Sequence, residues 1–313
     1  MGGNTLSSAG RSFVALLCRI KAFKKLISDR QTQVFFTLII TTFLSCIQWY
    51  SSDKVVVKEL ELYLPHFSTA SKTLHIAMLS DLHGGAMVYQ EQIAKVVDVV
   101  NGIESNFGVE LDAVLIVGDL IDAPRELIEE RMEPLRHLRS RLGTFAVSGN
   151  HEYYYGNYER WQQLYREYGI NVMENDIFKI DDSVCLIGLQ DLSAYKSGIK
   201  NTAMNVTVIN QCPSNYSTVI MAHNPAATKK IITFSNEYHR DIDLILSGHT
   251  HGGQYYILIP YVYWFLPYLY GLYSVNNGLT KLFVSAGTLY QASPMKMWGK
   301  SEIWLLTLSG FES

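Results

Sequence analysis

Apolar positions along this chain fall into distinct kinds of pattern. One is an uninterrupted run at 34–50, VFFTLIITTFLSCIQWY, which carries no charge and closes on Trp49 and Tyr50. That is about the minimum length for a transmembrane helix, and an aromatic end suits a bilayer interface. A cleaved signal peptide and a buried core helix are the other readings. The long basic stretch ahead of the run, without a clean small-residue cleavage site behind it, weighs against the first. The one-sided charge weighs against the second. Another pattern is the short apolar block: LHIAML (74–79), DAVLIV (112–117), GTFAVS (143–148), VCLIGL (184–189), STVIMA (217–222), DLILS (243–247), KLFVSA (281–286) and EIWLLTL (302–308). These read as buried strands, and VVVKELELYLP (55–65) as a half-buried strand stopped by Pro65. Helical spacing appears at 90–107, 126–142, 157–168 and 225–234. Strands alternating with helices indicate a layered α/β domain, and neither a repeat nor a linker divides 74–310.

Charge adds direction to this picture. The 313-residue chain has a net charge of −3, yet Arg11, Arg19, Lys21, Lys24, Lys25 and Arg30 precede the apolar run against Asp29 alone. The positive-inside rule therefore predicts a basic cytosolic segment at 1–33, a single-pass anchor at 34–50, and a catalytic domain at 51–313 on the lumenal or extracellular side. Phe13, Leu16, Leu17, Ile20, Phe23 and Ile27 recur at helical spacing among the basic residues, as in a helix lying on the membrane surface or one extending the anchor. Sequons at Asn205 and Asn215 are compatible with that side. The acidic main body argues against a nucleic-acid backbone as the principal partner, since that contact needs clustered Lys and Arg. Of the cysteines, Cys185 reads as a small buried hydrophobe; a bridge to Cys212 is the less favoured alternative.

Polar clusters follow the apolar strands directly. They are Ser80-Asp81-Leu82-His83-Gly84-Gly85, Gly118-Asp119-Leu120-Ile121-Asp122, Gly149-Asn150-His151-Glu152, Ala222-His223-Asn224 and Gly248-His249-Thr250-His251-Gly252-Gly253. Each alone is an ordinary capped turn or a satisfied histidine. Together they place carboxylate, imidazole and amide oxygen behind separate strands, where α/β sheets bind ligands. Those donor types suit Mn, Fe or Zn.

With these blocks in order, D-x-H, G-D-x-x-D, G-N-H-E, H and G-H-x-H, the sequence resembles the calcineurin-like metallophosphoesterases over about residues 55–310. The extended strand before Ser80-Asp81-Leu82-His83 and the GHTHGGQ block resemble the membrane-associated branch. The resemblance implies a four-layer αββα sandwich and two divalent metal ions. Asp81, His83 and His251 would hold the first ion, and Asn150, His223 and His249 the second, with Asp119 bridging both. It implies hydrolysis of a phosphodiester or pyrophosphate, of a phosphorylated small molecule or a lipid, by attack of a metal-bridging hydroxide. His151 would protonate the leaving oxygen or stabilise the transition-state charge, with Glu152 orienting it, while Asp122 and Asp191 are supporting carboxylates or plain loop residues. A phosphomonoesterase or protein phosphatase is the alternative, as is a metal-binding pseudoenzyme serving as receptor or scaffold. One departure concerns Pro294-Met295-Lys296, where relatives carry Arg in place of Lys296. Lys lacks the bidentate fork, which puts phosphate recognition there in doubt.

Residues 255–273, YYILIPYVYWFLPYLYGLY, are uncharged and follow the last histidine block. They read either as a packed core loop or as a lip touching the bilayer interface.

Overall fold

The apolar run folds as one helix, α1 (Arg30–Ser52), which starts before and ends after the uncharged stretch. Its 23 residues rise about 34 Å at 1.5 Å each, which is long and apolar enough to cross a membrane. The computed structural model describes residues 28–67, 72–155, 158–180, 183–196, 198 and 203–310. The helical pattern expected at 13–27 lies outside them. Internal contacts divide the chain into Met1–Ile47 and Gln48–Ser313.

In the second unit every apolar block forms the expected strand. In chain order the elements are β1 (Val56–Tyr63), β2 (Leu74–Leu79), α2 (Gln90–Asn101), α3 (Ile103–Phe107), β3 (Ala113–Val117), α4 (Arg125–Met132), β4 (Thr144–Val147), α5 (His151–Tyr154), α6 (Tyr158–Glu167), β5 (Ile170–Val172), β6 (Asp176–Ile180), β7 (Val184–Gly188), β8 (Ser217–Met221), α7 (Ala227–Tyr238), β9 (Leu244–Ser247), α8 (Ile259–Phe265), β10 (Gly271–Val275), β11 (Thr280–Val284) and β12 (Glu302–Ser309). They build two six-stranded sheets, in the orders β1-β12-β2-β3-β4-β5 and β10-β11-β9-β8-β7-β6.

Alternate side chains of a strand face opposite sides, and here both sides are covered. Leu115 and Val117 of β3 meet Val219, Met221 and Leu246 of the other sheet. Val114 and Ile116 turn the other way, onto Val96, Ile128 and Trp161 from the helices. On the far side Ile220 and Ile245 pack against Ile231 and Phe234 of α7. The layers are therefore helix, sheet, sheet, helix, and strands buried on both faces read as unbroken apolar runs.

The structure differs from the sequence pattern in several places. The helix expected over 90–107 breaks at Gly102, and the one expected over 126–142 ends at Met132 in a tighter turn, Glu133–His137, that contains Pro134. The strands β5, β6 and β10 had no signal, being short or half-exposed. Cys185 is not a lone hydrophobe: it is bridged to Cys212, with Cα atoms 5.8 Å apart. The turn Val206–Gln211 buries Val208 and Ile209 against the outer face of the second sheet, which brings Cys212 over β7. Closing a loop of that length contributes roughly 3–4 kcal/mol in the chain-entropy account.

Two further features bear on the site. The last turn of α1, from Gln48 on, belongs to the second unit and is hydrogen-bonded within it. The Lys296 N–H donates to the Gln48 carbonyl at 3.0 Å, and the Ser301 hydroxyl to that of Ser52 at 2.7 Å. The stretch after the final histidine block is not core over 256–265, where α8 has no buried residue.

Candidate metal centre

The parallel strands of both sheets end at the same edge. Asp81 and His83 leave β2, Asp119 and Asp122 leave β3, Asn150 and His151 leave β4, His223 leaves β8, and His249 and His251 leave β9. Asp81, His83, Asp119, Asn150, His151, His223 and His251 are all buried. Their donor atoms form overlapping trios, each within 4.8 Å: Asp81, His83 and His251; His83, Asp119 and His151; Asp119, His223 and His249. His83 is shared by the first two trios and Asp119 by the last two. His83 Nε2 is 3.8 Å from Asp119 Oδ2 and 3.0 Å from His251 Nε2, and His223 Nε2 is 3.0 Å from that same Asp119 oxygen.

Such crowding of like donors has a backbone cost. Asp81 (φ 53), His83 (φ 48), Asp119 (φ 53), His249 (φ 72) and His251 (φ 51) all sit in the left-handed region. Each costs energy for a residue with a Cβ, and such strain clusters at functional sites. Two glycines make room. A Cβ at Gly149 would fall on the Asp119 carboxylate, and one at Gly248 on that of Asp81.

Buried polar atoms without partners are rare in proteins, yet three occur among these residues. Asn150 gives its Nδ2 to Tyr154 at 3.0 Å and leaves Oδ1 unpaired. His223 donates Nδ1–H to the Val117 carbonyl at 2.7 Å, which turns Nε2 toward Asp119, and Nε2 has no aligned hydrogen bond. His251 Nδ1 is likewise unpaired. An amide oxygen, a buried unpaired imidazole nitrogen and an imidazole oriented by a backbone carbonyl are metal-ligand chemistry. The residues present therefore fit divalent cations.

The supporting carboxylates divide differently from expectation. Asp122, rather than Glu152, meets His151: its Oδ1 lies 2.5 Å from His151 Nδ1 and 2.8 Å from His83 Nδ1. Glu152 accepts instead from the backbone N–H groups of Gly149, Leu120 and Asp119 at 2.6, 2.7 and 3.1 Å, tying two site loops together. Asp191 accepts from the Ser193 N–H and hydroxyl, and its second oxygen is buried without a partner. Lys296 is fully buried, with its ammonium donating to the carbonyls of Gly287 and Leu289. It holds a loop and is not a phosphate contact. Burial pushes its ammonium down to about 7.

Electrostatics follow this packing. Burial alone would raise the Asp119 carboxyl, but His223, His83 and His151 around it hold it well below the usual range. Burial and the Asp119 charge push Glu152 up to about 7. Burial would lower His151, yet its bond to Asp122 and the nearby carboxylates raise it. Burial and neighbouring imidazoles lower His249 and His251, leaving neutral donors. Sequence reading missed Gln291, whose Nε2 lies 2.8 Å from His151 Nε2. It stands in no recurring block, and only the fold brings it there.

A family model described as calcineurin-like phosphoesterase matches residues 74–253, which contain every residue of the trios. The chain belongs to the calcineurin-like phosphoesterase family. Among its relatives, a "Transmembrane protein with metallophosphoesterase domain" of Bos taurus is 32% identical over 282 residues, 87% of this chain and 61% of the other. A protein of Caenorhabditis elegans named as a metallophosphoesterase is 33% identical over 258 residues, 81% of this chain and 52% of the other. A metallophosphoesterase of Helicobacter pylori is 33% identical over 253 residues, 80% of this chain and 63% of the other. This calcineurin-like phosphoesterase thus spans between 52% and 63% of the length of those relatives. An apolar helix at its front and transmembrane-named relatives associate it with membranes.

Proposed function

We propose that the protein is a membrane-anchored phosphoesterase that hydrolyses a phosphodiester or pyrophosphate, with a lipid-borne ester as the substrate class to examine first. The observation that carries this reading is the position of Asp119, shared between two trios of ligand atoms, with unpaired Asn150 Oδ1 and His223 Nε2 beside it. Asp81, His83 and His251 would hold one divalent cation (Mn, Fe or Zn) and Asn150, His223 and His249 the other, with Asp119 serving both. Such a pair, when bound, makes water acidic enough to attack near neutral pH and polarises the phosphoryl oxygens.

The chain's own residues supply the rest. Asp122 accepts from His151 Nδ1–H and favours a proton on the ring, so Nε2–H can be delivered to the departing oxygen. Gln291 faces that nitrogen, and its amide can present NH₂ to the neutral ring or, turned over, its oxygen to the charged one. With the Lys296 ammonium committed to carbonyls, phosphate charge is left to the cations. A phosphodiester monoanion needs less positive charge than a monoester dianion, which favours the diester.

The Cys185–Cys212 bridge supports a lumenal or extracellular catalytic domain, because disulfides persist in oxidising compartments. The basic residues before α1 point the same way, with residues 1–33 in the cytosol.

The test is metal analysis of the purified full chain, followed by turnover of matched phosphodiester, pyrophosphate and phosphomonoester substrates. Two bound ions per chain with preference for diester or pyrophosphate is the expected result. Turnover of the monoester alone overturns the substrate class, and metal binding without any hydrolysis moves the protein to a receptor or scaffold role.

A further inference from the structure

The segment after the histidine block has the wrong surface for water. Ile257 and Trp264 are each 85% exposed, and Tyr261, Tyr263 and Phe265 are exposed beside them. Between His251 and Lys281 the chain carries no charged residue. A helix on the surface of a soluble domain normally turns a charged or polar face outward. A contiguous apolar patch that faces outward instead marks a contact with something else.

What covers it is indicated by where it is held. The apolar run of α1 ends at Trp49 and Tyr50, and the chain there is fastened to this segment. The Tyr256 N–H donates to Gln48 Oε1 at 3.3 Å, and the Trp298 N–H to the Tyr256 hydroxyl at 3.1 Å. Trp298, itself exposed, stacks on Tyr50 with ring centroids 5.9 Å apart. The exposed segment therefore starts one hydrogen bond from the point where a membrane-inserted α1 leaves the hydrocarbon. Tyr and Trp are the residues that favour the headgroup level, having an apolar body and a polar tip. Lys54 lies over the Tyr50 ring at 5.1 Å, as a cation placed at the aqueous margin of that layer. A docked protein would ask for a polar rim around the apolar centre, and the uncharged stretch provides none.

We propose that Tyr256–Phe265, together with Trp298, is a docking surface for the lipid–water interface of the bilayer that holds α1. The bilayer then has two contacts on the chain, a spanning one and an interfacial one, and the second leads directly into the loop bearing His249 and His251. The proposal requires α1 to be inserted and is independent of which ester the metal centre cleaves.

The experiment uses the full chain in lipid nanodiscs of phosphatidylcholine. Cys18 and Cys46 are replaced by Ser, Cys185–Cys212 stays bridged, and Trp264→Cys carries an environment-sensitive fluorophore. A second sample keeps Cys46 as the labelled site to report on α1, and a third labels Lys229→Cys on α7. Melting curves check that each variant is folded. If the surface docks, the label at 264 shifts to the blue, loses most of its emission to headgroup-proximal doxyl lipids, and is shielded from aqueous iodide. The label at 229 shows the reverse. Emission at 264 that is open to iodide and untouched by doxyl lipid, while the label at 46 is quenched, overturns the proposal. So does shielding from both quenchers that grows with protein-to-lipid ratio, which assigns the surface to a second copy of the chain. A label at 46 that lipid quenchers do not reach removes the inserted α1 and overturns the proposal at its base, while leaving hydrolysis to be measured separately.

Discussion

The loop His249–Gln254 and the helix α8 that begins at Ile259 are near neighbours in sequence and opposites in physical character. The first is buried and held in left-handed backbone at His249, His251 and Gln254, with Gly248 making room for Asp81. The second is regular in backbone and open to its surroundings. In the loop, strain is tolerated because neighbouring strands and hydrogen bonds over-determine each position. In the helix no residue has positive φ, and only Ile259 and Val262 are even partly buried. Reacting groups need fixed geometry, whereas a surface that meets a fluid layer needs composition alone.

Substitutions at the site that this loop completes and on the helix should accordingly separate by orders of magnitude. The largest effect belongs to Asp119→Ala, which is expected to abolish turnover and lower the bound metal, since that carboxylate stands between two ligand sets. Normal metal content with normal turnover in this variant would end the dinuclear account. Next comes His151→Gln, with metal content near normal and a rate lower by roughly 10²–10⁴-fold, the range for a positioned acid. The loss should shrink for substrates with good leaving groups, and an equal loss for good and poor ones removes the acid role. Gln291→Ala is expected to cost about 10-fold, as removal of a group that orients a reacting one does; it should act on kcat for poor leaving groups, with Gln291→Glu restoring part of the rate. A change confined to KM would show that Gln291 contacts substrate instead. The smallest effect is on the outer side. Trp264→Ser should alter thermal stability of the detergent-solubilised chain by no more than about 0.5 kcal/mol, the usual scale for an exposed position. A large drop in Tm would mean that α8 is part of the packed domain, and the contrast between the regions would collapse.

Period and chemistry were legible in the sequence to different depths. Strands buried on both faces announce themselves as apolar runs, so β2, β3, β4, β7, β8 and β9 were found within a residue or two of their ends. The short β5 and the exposed-faced β6 and β10 carry no such run. Candidate ligand residues could be named because each follows a strand and stands in one of the recurring blocks. Side chains that act through their neighbours could not. The exchange between Asp122 and Glu152 depends on which loop folds over which, and Gln291 meets His151 across 140 residues of chain. The bridge to Cys212 ranked second to a lone buried Cys185 for the same reason: a polar loop gives no hint that a turn within it buries Val208 and Ile209 over β7.

The fastening at Gln48 bears on where the chain can be cut. Lys296 N–H holds the Gln48 carbonyl while its ammonium holds the carbonyls of Gly287 and Leu289, and the Leu289 N–H in turn holds the carbonyl of Asp81 at 3.2 Å. A soluble fragment begun after Ser52 loses the acceptors of the Lys296 N–H, the Ser301 hydroxyl and the Tyr256 N–H. Lys296 and Ser301 are fully buried, and a buried donor left unpaired costs about 1–3 kcal/mol. Such a fragment would retain every candidate metal ligand and still seat Asp81 poorly. One begun at residue 48 keeps these bonds, so the practical boundary of the folded domain lies inside the last turn of α1.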